Sequence, residues 1–260
     1  MRLARQSADE FPAGIGEFPK FVHPLRKSGT VARDRLAQQA PLVRKDNPQI
    51  APSANLLEPR SKQLRPSPLR YIGAEMPVII SMLRGVNVGG HNKIKMDALR
   101  ELYQSLKLRD PQTYVQSGNV VFATDEKDLV ALAKRIQNGI ERSHGFNPYV
   151  ILRTTAELRA AIAKNPFAKR RGIEPNRLLV TFLAADPGHA IREQVLKIKC
   201  EPEEIRANGR ELYIYFPNGM ARPKLSFATL ERTLKISGTG RNWNSVTKLL
   251  EMAEKMEATL

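Results

Sequence analysis

The chain has 260 residues, and 42 Lys plus Arg against 26 Asp plus Glu give it a formal charge of +16. A hydrophobic share of 42% is enough for a packed core and excludes wholesale disorder; no run reaches the roughly 18 apolar residues that a membrane helix needs. One cysteine, Cys200, excludes an internal disulfide, and with only four histidines beside it a structural zinc site has too few ligands.

The first 75 residues stand apart. They carry 13 Lys plus Arg, 7 Asp plus Glu and 9 of the 18 prolines, and stretches such as Arg65-Pro66-Ser67-Pro68 forbid regular backbone pairing. The expectation is a disordered, basic, proline-rich extension over residues 1–75, with Met76 as a candidate true start. Two rivals stay open. An organelle transit peptide would be Arg-rich, but Asp9, Glu10 and Glu17 fit it poorly. A nucleic-acid arm would block its cations together, and here they are spaced. Met1 to Lys20 lacks the apolar centre of a secretory signal, so a cytoplasmic location is expected.

From Met76 the pattern becomes regular. Val78 to Leu83 reads as a strand, and Met96, Leu99, Leu102, Tyr103 and Leu106 fall on one helical face. Thr113 to Gln116 and Asn119 to Ala123 read as a hairpin turning at Ser117-Gly118, where the glycine supplies a positive φ. Asp125 is placed to cap a helix bearing Leu129, Leu132, Ala133, Ile136 and Ile140, and Pro148 to Arg153 returns as a strand. The order βαββαβ predicts a ferredoxin-like half over 76–153.

Residues 154–176 predict a connecting helix and loop, with Thr154 and Glu157 at capping-box spacing and Asn165-Pro166 ending the helix. The plan then recurs over 177–260. Leu178 to Leu183 is a strand, Pro187 to Ile198 a helix, and Glu204 to Asn208 pairs with Glu211 to Phe216 around Asn208-Gly209. Phe227, Leu230 and Leu234 mark a helix, Ser237 to Asn242 a short strand, and Val246, Leu249, Leu250, Ala253 and Met256 a C-terminal helix. The predicted fold class is α+β, two tandem ferredoxin-like halves with a connecting and a C-terminal helix.

Three polar clusters fall where turns are expected. Arg84-Gly85-Val86-Asn87-Val88-Gly89-Gly90-His91-Asn92-Lys93 leads into a helix, where backbone N–H groups and the positive dipole end attract anions. It has neither the Walker nor the Rossmann glycine spacing. Tyr114-Val115-Gln116-Ser117-Gly118-Asn119 has no partner that would make Ser117 a nucleophile, and turn chemistry accounts for it. Lys224 and the run Arg241-Asn242-Trp243-Asn244 combine cations, amides and an indole at a helix entry. That run suits an oxyanion or a ring, and equally suits a helix cap with Trp243 packed back on it.

Cys200 follows Lys197 and Lys199, which would lower its pKa, though a lone cysteine behaves more often as a small buried hydrophobe. Val78 to Leu83 and Leu178 to Leu183 are apolar nearly throughout, which predicts strands covered on both faces. The open aromatic sheet of RNA-recognition modules is therefore not expected.

Several of these stretches together resemble a bacterial family, domain of unknown function family 1697: Leu83 to Gly90, Thr113 to Phe122, Asn165-Pro166-Phe167 and Arg241 to Val246. The resemblance covers about Met76 to Leu260 and implies two ferredoxin-like halves. It carries no reaction. Pro223-Lys224 and Thr239-Gly240 depart from its usual Ser-Lys and Thr-Thr.

The functional expectation is a protein that binds a phosphate-bearing or other anionic ligand in a cleft between its halves. The candidate residues are Arg84, Asn87, Gly89, Gly90, Lys93, Gln116, Ser117, Asn119, Lys224, Arg241, Asn242 and Trp243. Sequence-independent nucleic-acid binding through the surface charge is the first alternative, and a metal-independent enzyme the second. Neither a cofactor nor a metal is nominated, and a membrane partner is not expected.

Overall fold

The computed structural model describes residues 76–260. The expected basic extension, residues 1–75, lies outside them. The described chain is a mixed α+β structure with two four-stranded antiparallel sheets.

The elements run β1 (Val78–Leu83), α1 (Met96–Ser105), β2 (Arg109–Tyr114), β3 (Asn119–Ala123), α2 (Leu129–His144), β4 (Val150–Thr154) and α3 (Thr155–Ala163). The same sequence of element types then repeats as β5 (Leu178–Leu183), α4 (Gly188–Leu196), β6 (Glu204–Asn208), β7 (Glu211–Tyr215), α5 (Phe227–Leu234), β8 (Gly238–Asn242) and α6 (Trp243–Glu257). The strands order as β2-β3-β1-β4 and β6-β7-β5-β8. The registers also correspond: Ile80 faces Arg153 and Met82 faces Asn119 in the first sheet, while Val180 faces Arg241 and Phe182 faces Glu211 in the second.

Alternation along the strands divides each central strand between two cores. Ile79, Leu83, Val120, Phe122 and Leu152 pack with Leu99 and Tyr103 of α1 and Leu132, Ile136 and Ile140 of α2. Leu179, Leu183, Leu212 and Ile214 pack with Val195 of α4 and Leu230 and Leu234 of α5. The opposite faces share one core. Val78, Ile80 and Met82 meet α3, α6 and the Leu178, Val180, Phe182, Tyr213 and Tyr215 side chains of the other sheet. Both sheets are thus covered on both faces, α3 and α6 packing together in the shared core. Tyr213 and Tyr215 are buried there, and the Tyr213 hydroxyl donates to Ala161 O at 2.6 Å.

The helix starts follow local chemistry. Thr154 and Glu157 form the expected capping box, Ser226 caps α5 and Asn242 caps α6. Asp128 caps α2, accepting from Val130 and Ala131 N–H, in place of Asp125, because the helix begins nearer its first buried residue, Leu132. The first hairpin differs more. β2 starts at Arg109 with an irregular register before Gln112 and ends at Tyr114. Val115 takes a positive φ, so the turn occupies residues 115–118 rather than Ser117-Gly118 alone.

Candidate functional site

A buried guanidinium joins the run at Arg241 to the hairpin cluster, and the first loop reaches that cluster through Asn87. Arg241 projects from β8 and is only 6% exposed. Its Nε donates to Asn119 Oδ1, its Nη1 to Thr239 Oγ1 and Gly240 O, and its Nη2 to Leu83 O at 2.7 Å and Ser117 O at 3.1 Å. A guanidinium has five N–H groups. All five are engaged, three of them by Leu83 at the end of β1, Ser117 in the hairpin turn and Asn119 at the start of β3. Burial pulls the Arg241 pKa down to about 10, since its partners are neutral and do little to offset desolvation.

The other candidates take their places around this contact. Asn87 adopts a positive φ and uses its whole amide, donating to Ile94 O and Gln116 O and accepting from Ile94 N–H, which ties the first loop to the hairpin turn. Asn119 is buried and donates to Tyr114 O and to Ser117 Oγ. Arg84 pairs with Glu231 of α5 at 2.6 Å. Asn242 donates to Asn176 O and accepts from Asn244 N–H, while Trp243 packs partly buried on the shared core. Gly89, Gly90, Lys93 and Gln116 are exposed. Lys224 is exposed as well, with its backbone N–H held by Glu203.

A second junction mirrors the first. Arg153 of β4 is 1% exposed and crosses to the other sheet, its Nε and Nη2 donating to Glu211 Oε1 and its Nη2 also to Leu183 O. Its Nη1 donates to Leu152 O, and its guanidinium lies 5.6 Å over the Phe182 ring. Desolvation and then the charge of Arg210 lower its pKa, against Glu211 and Glu157, which raise it. Arg210 pairs with Glu157. Arg153, Arg210, Glu157 and Ala184 line a cavity of about 200 Å³ beside α2. None of these residues stands out by motif. The available signal is alternation: Ile151 faces the shared core, so Arg153, two residues on, puts a charge where the pattern asks for an apolar side chain.

Cys200 is buried in the second outer core, and burial pushes its thiol pKa up, aided by Glu201, Glu203 and Glu204. The proximity of Lys197 and Lys199 in sequence does not win. Among the described residues no His, Cys, Asp and Glu side chains converge in a group of three suited to a metal, and no helix is long and apolar enough to cross a membrane.

Residues 76–213 match the family described as "Protein of unknown function (DUF1697)". The chain belongs to this family. The match holds the Leu83 to Gly90 and Thr113 to Phe122 stretches together with Arg153, and it ends before Arg241. Among solved structures, the conserved bacterial protein SP0830 from Streptococcus pneumoniae is 21% identical, with 68% of this chain and 99% of that chain covered and a TM-score of 0.49. No curated protein matches.

Proposed function

We propose that the protein binds a phosphate-bearing or otherwise anionic ligand on the loop that enters α1, with the two halves of the chain supplying a rigid support. The observation that carries this reading is the exposed rim Gly89, Gly90, Lys93 and Lys95 ahead of a helix that no side chain caps. α2, α3, α5 and α6 start under a capping side chain, whereas α4, like α1, does not. The α1 first turn is then preceded by a loop with two lysines and two glycines at positive φ, a setting that favours an anion. Asp97 in that turn is already paired with Arg100. In this reading Arg84, Asn87, Gln116, Ser117, Asn119, Arg241, Asn242 and Trp243 hold the loops in place, and Lys224 serves from a separate anchor.

The domain reading is part of the same proposal. Residues 76–153 and 177–260 are two ferredoxin-like halves, joined by 154–176, and the repeated element order with strand order β2-β3-β1-β4 and β6-β7-β5-β8 supports it.

Titration of isotope-labelled protein with inorganic phosphate and AMP tests the site. Saturable amide shifts centred on Gly89, Gly90 and Lys93, lost in Lys93→Ala, are expected. Shifts confined to other regions, or none at all, would remove the proposal.

A second reading is sequence-independent nucleic-acid binding. It is favoured by the exposed cations Lys164, Lys169, Arg170, Arg171 and Arg206, which lie on and beside the segment after α3. Because both sheets are covered, such binding would run through phosphates rather than through bases stacked on a sheet. A steep loss of affinity between low and moderate salt, with no competition by mononucleotides, is its expected signature.

A further inference from the structure

The two junctions share one plan and differ at the residue that follows the first strand of each half. Leu83 is followed by Arg84, and Leu183 by Ala184. Both residues hold corresponding backbone positions, Arg84 N–H bonding to Tyr149 O before β4 and Ala184 N–H to Ser237 O before β8. Arg84 extends to Glu231 on α5. Ala184 has no side chain with which to do the same toward α2, and there the cavity of about 200 Å³ lies.

Its lining is divided by chemistry. Leu129, Ala133, Val150 and Leu152 make one part apolar, and Arg153, Arg210, Lys134 and Gln137 supply the donors. Glu211 pairs with Arg153 and Glu157 with Arg210, which leaves Lys134 as the surplus cation. Arg153 makes four hydrogen bonds where Arg241 makes five, so one Nη1 N–H has no acceptor among the described residues. The two arginines also repel each other, and an anion between them would relieve that repulsion. A space of this size holds about six or seven waters by liquid volume, which limits an occupant to a short chain.

We propose that this cavity binds a small organic oxyanion, a carboxylate or phosphate monoester on a short apolar chain, with the charged group between Arg153 and Arg210 and the chain against α2. The site shares no residue with the loop that enters α1.

The test uses the whole chain with four probes: butyrate, butyl phosphate, inorganic phosphate and butylammonium. Saturable binding of butyrate or butyl phosphate, followed by calorimetry and by amide shifts at Ala133, Gln137 and Ala184, is expected, and which of the two binds tighter identifies the head group. Butylammonium should not bind, and inorganic phosphate should bind more weakly than butyl phosphate. Arg210→Gln, at a side chain about one-third exposed and so tolerant of change, should weaken binding about tenfold, the loss expected for one charge-assisted hydrogen bond. Ala184→Arg, which places in the cavity the side chain that Arg84 already supplies at the other junction, should abolish binding. Equal binding of butylammonium and butyrate, equal binding of inorganic and butyl phosphate, or unchanged affinity in Arg210→Gln would each overturn the proposal.

Discussion

Arg153 and Arg241 stand at corresponding register positions in the two sheets, opposite Ile80 and Val180, and each reaches across to the other half. Arg153 donates to Leu183 O and Arg241 to Leu83 O, which close the first strand of the opposite sheet. The acceptors at the neighbouring strand correspond too, Glu211 opposite Phe182 and Asn119 opposite Met82. The exchange is reciprocal in position and unequal in charge. Arg153 meets a carboxylate, and Arg241 meets only neutral oxygens.

That inequality sets the cost of removing each arginine. Arg241→Ala would strand three buried acceptors, the Leu83 carbonyl, the Asn119 amide oxygen and the Thr239 hydroxyl. Arg153→Ala would strand a carboxylate that is only 15% exposed. Each should cost about 3–5 kcal/mol, the range for breaking a buried polar contact from one side. Urea unfolding should show a lower midpoint with an unchanged slope. A loss below about 1 kcal/mol would mean the contacts do not hold the halves together.

Among the described residues, Gly118 is the one turn glycine where a side chain has nowhere to go. Its φ is +72°, and a Cβ there would lie 2.8 Å from Leu83 Cβ. At Gly145, with φ +75°, the same atom would meet open space. Gly145→Ala should therefore cost about 1–2 kcal/mol from backbone strain alone, and Gly118→Ala clearly more, with the clash added. Thermal unfolding of the two variants side by side measures the difference.

Cys200 should be slow to alkylate in the native protein at pH 8 and fast in urea, since burial and three nearby glutamates disfavour its thiolate. The folded pKa lies above the unfolded one. Its contribution to stability is therefore complete below the unfolded value and lost as pH rises through the folded value. Unfolding free energy should fall above about pH 9, the ordinary thiol value, and fall less in Cys200→Ala.

Thr154→Ala removes a cap in which Thr154 Oγ1 accepts from Glu157 N–H and Glu157 returns a bond to Thr154 N–H. The expected loss is about 1 kcal/mol, within the range for N-cap removal. Because Glu157 also holds Arg210, Glu157→Ala should cost more than Thr154→Ala. Guanidinium unfolding of both variants checks the order.

Much of the fold is written in local chemistry. The capping box at Thr154 and the helical spacing from Leu129 to Ile140 are decided within a few residues and appear as expected, and the second hairpin forms with its turn one residue on, at Gly209-Arg210, because Asn208 still pairs with Glu211. The turn before Asn119 sits earlier than the sequence predicts, because Val115, a residue that ordinarily avoids positive φ, is held there within the turn that Asn87 and Arg241 grip from other parts of the chain. The candidate residues were legible as polar clusters. Their use was not, because a guanidinium in a sequence looks the same whether it faces water or five neutral carbonyl, amide and hydroxyl oxygens.

The sequence by itself determined the elements, their order and the two-faced burial of β1 and β5, because periodicity and turn chemistry act over short spans. Only the tertiary structure decided that the hairpin turn and the end of β1 converge on a buried Arg241, that Arg153 answers it from the other sheet, and that Arg84 pairs with Glu231 where Ala184 borders a cavity. Those relations join residues far apart in the chain, such as Arg241 with Leu83 and Arg153 with Leu183, and come into being when the two sheets pack against α3 and α6.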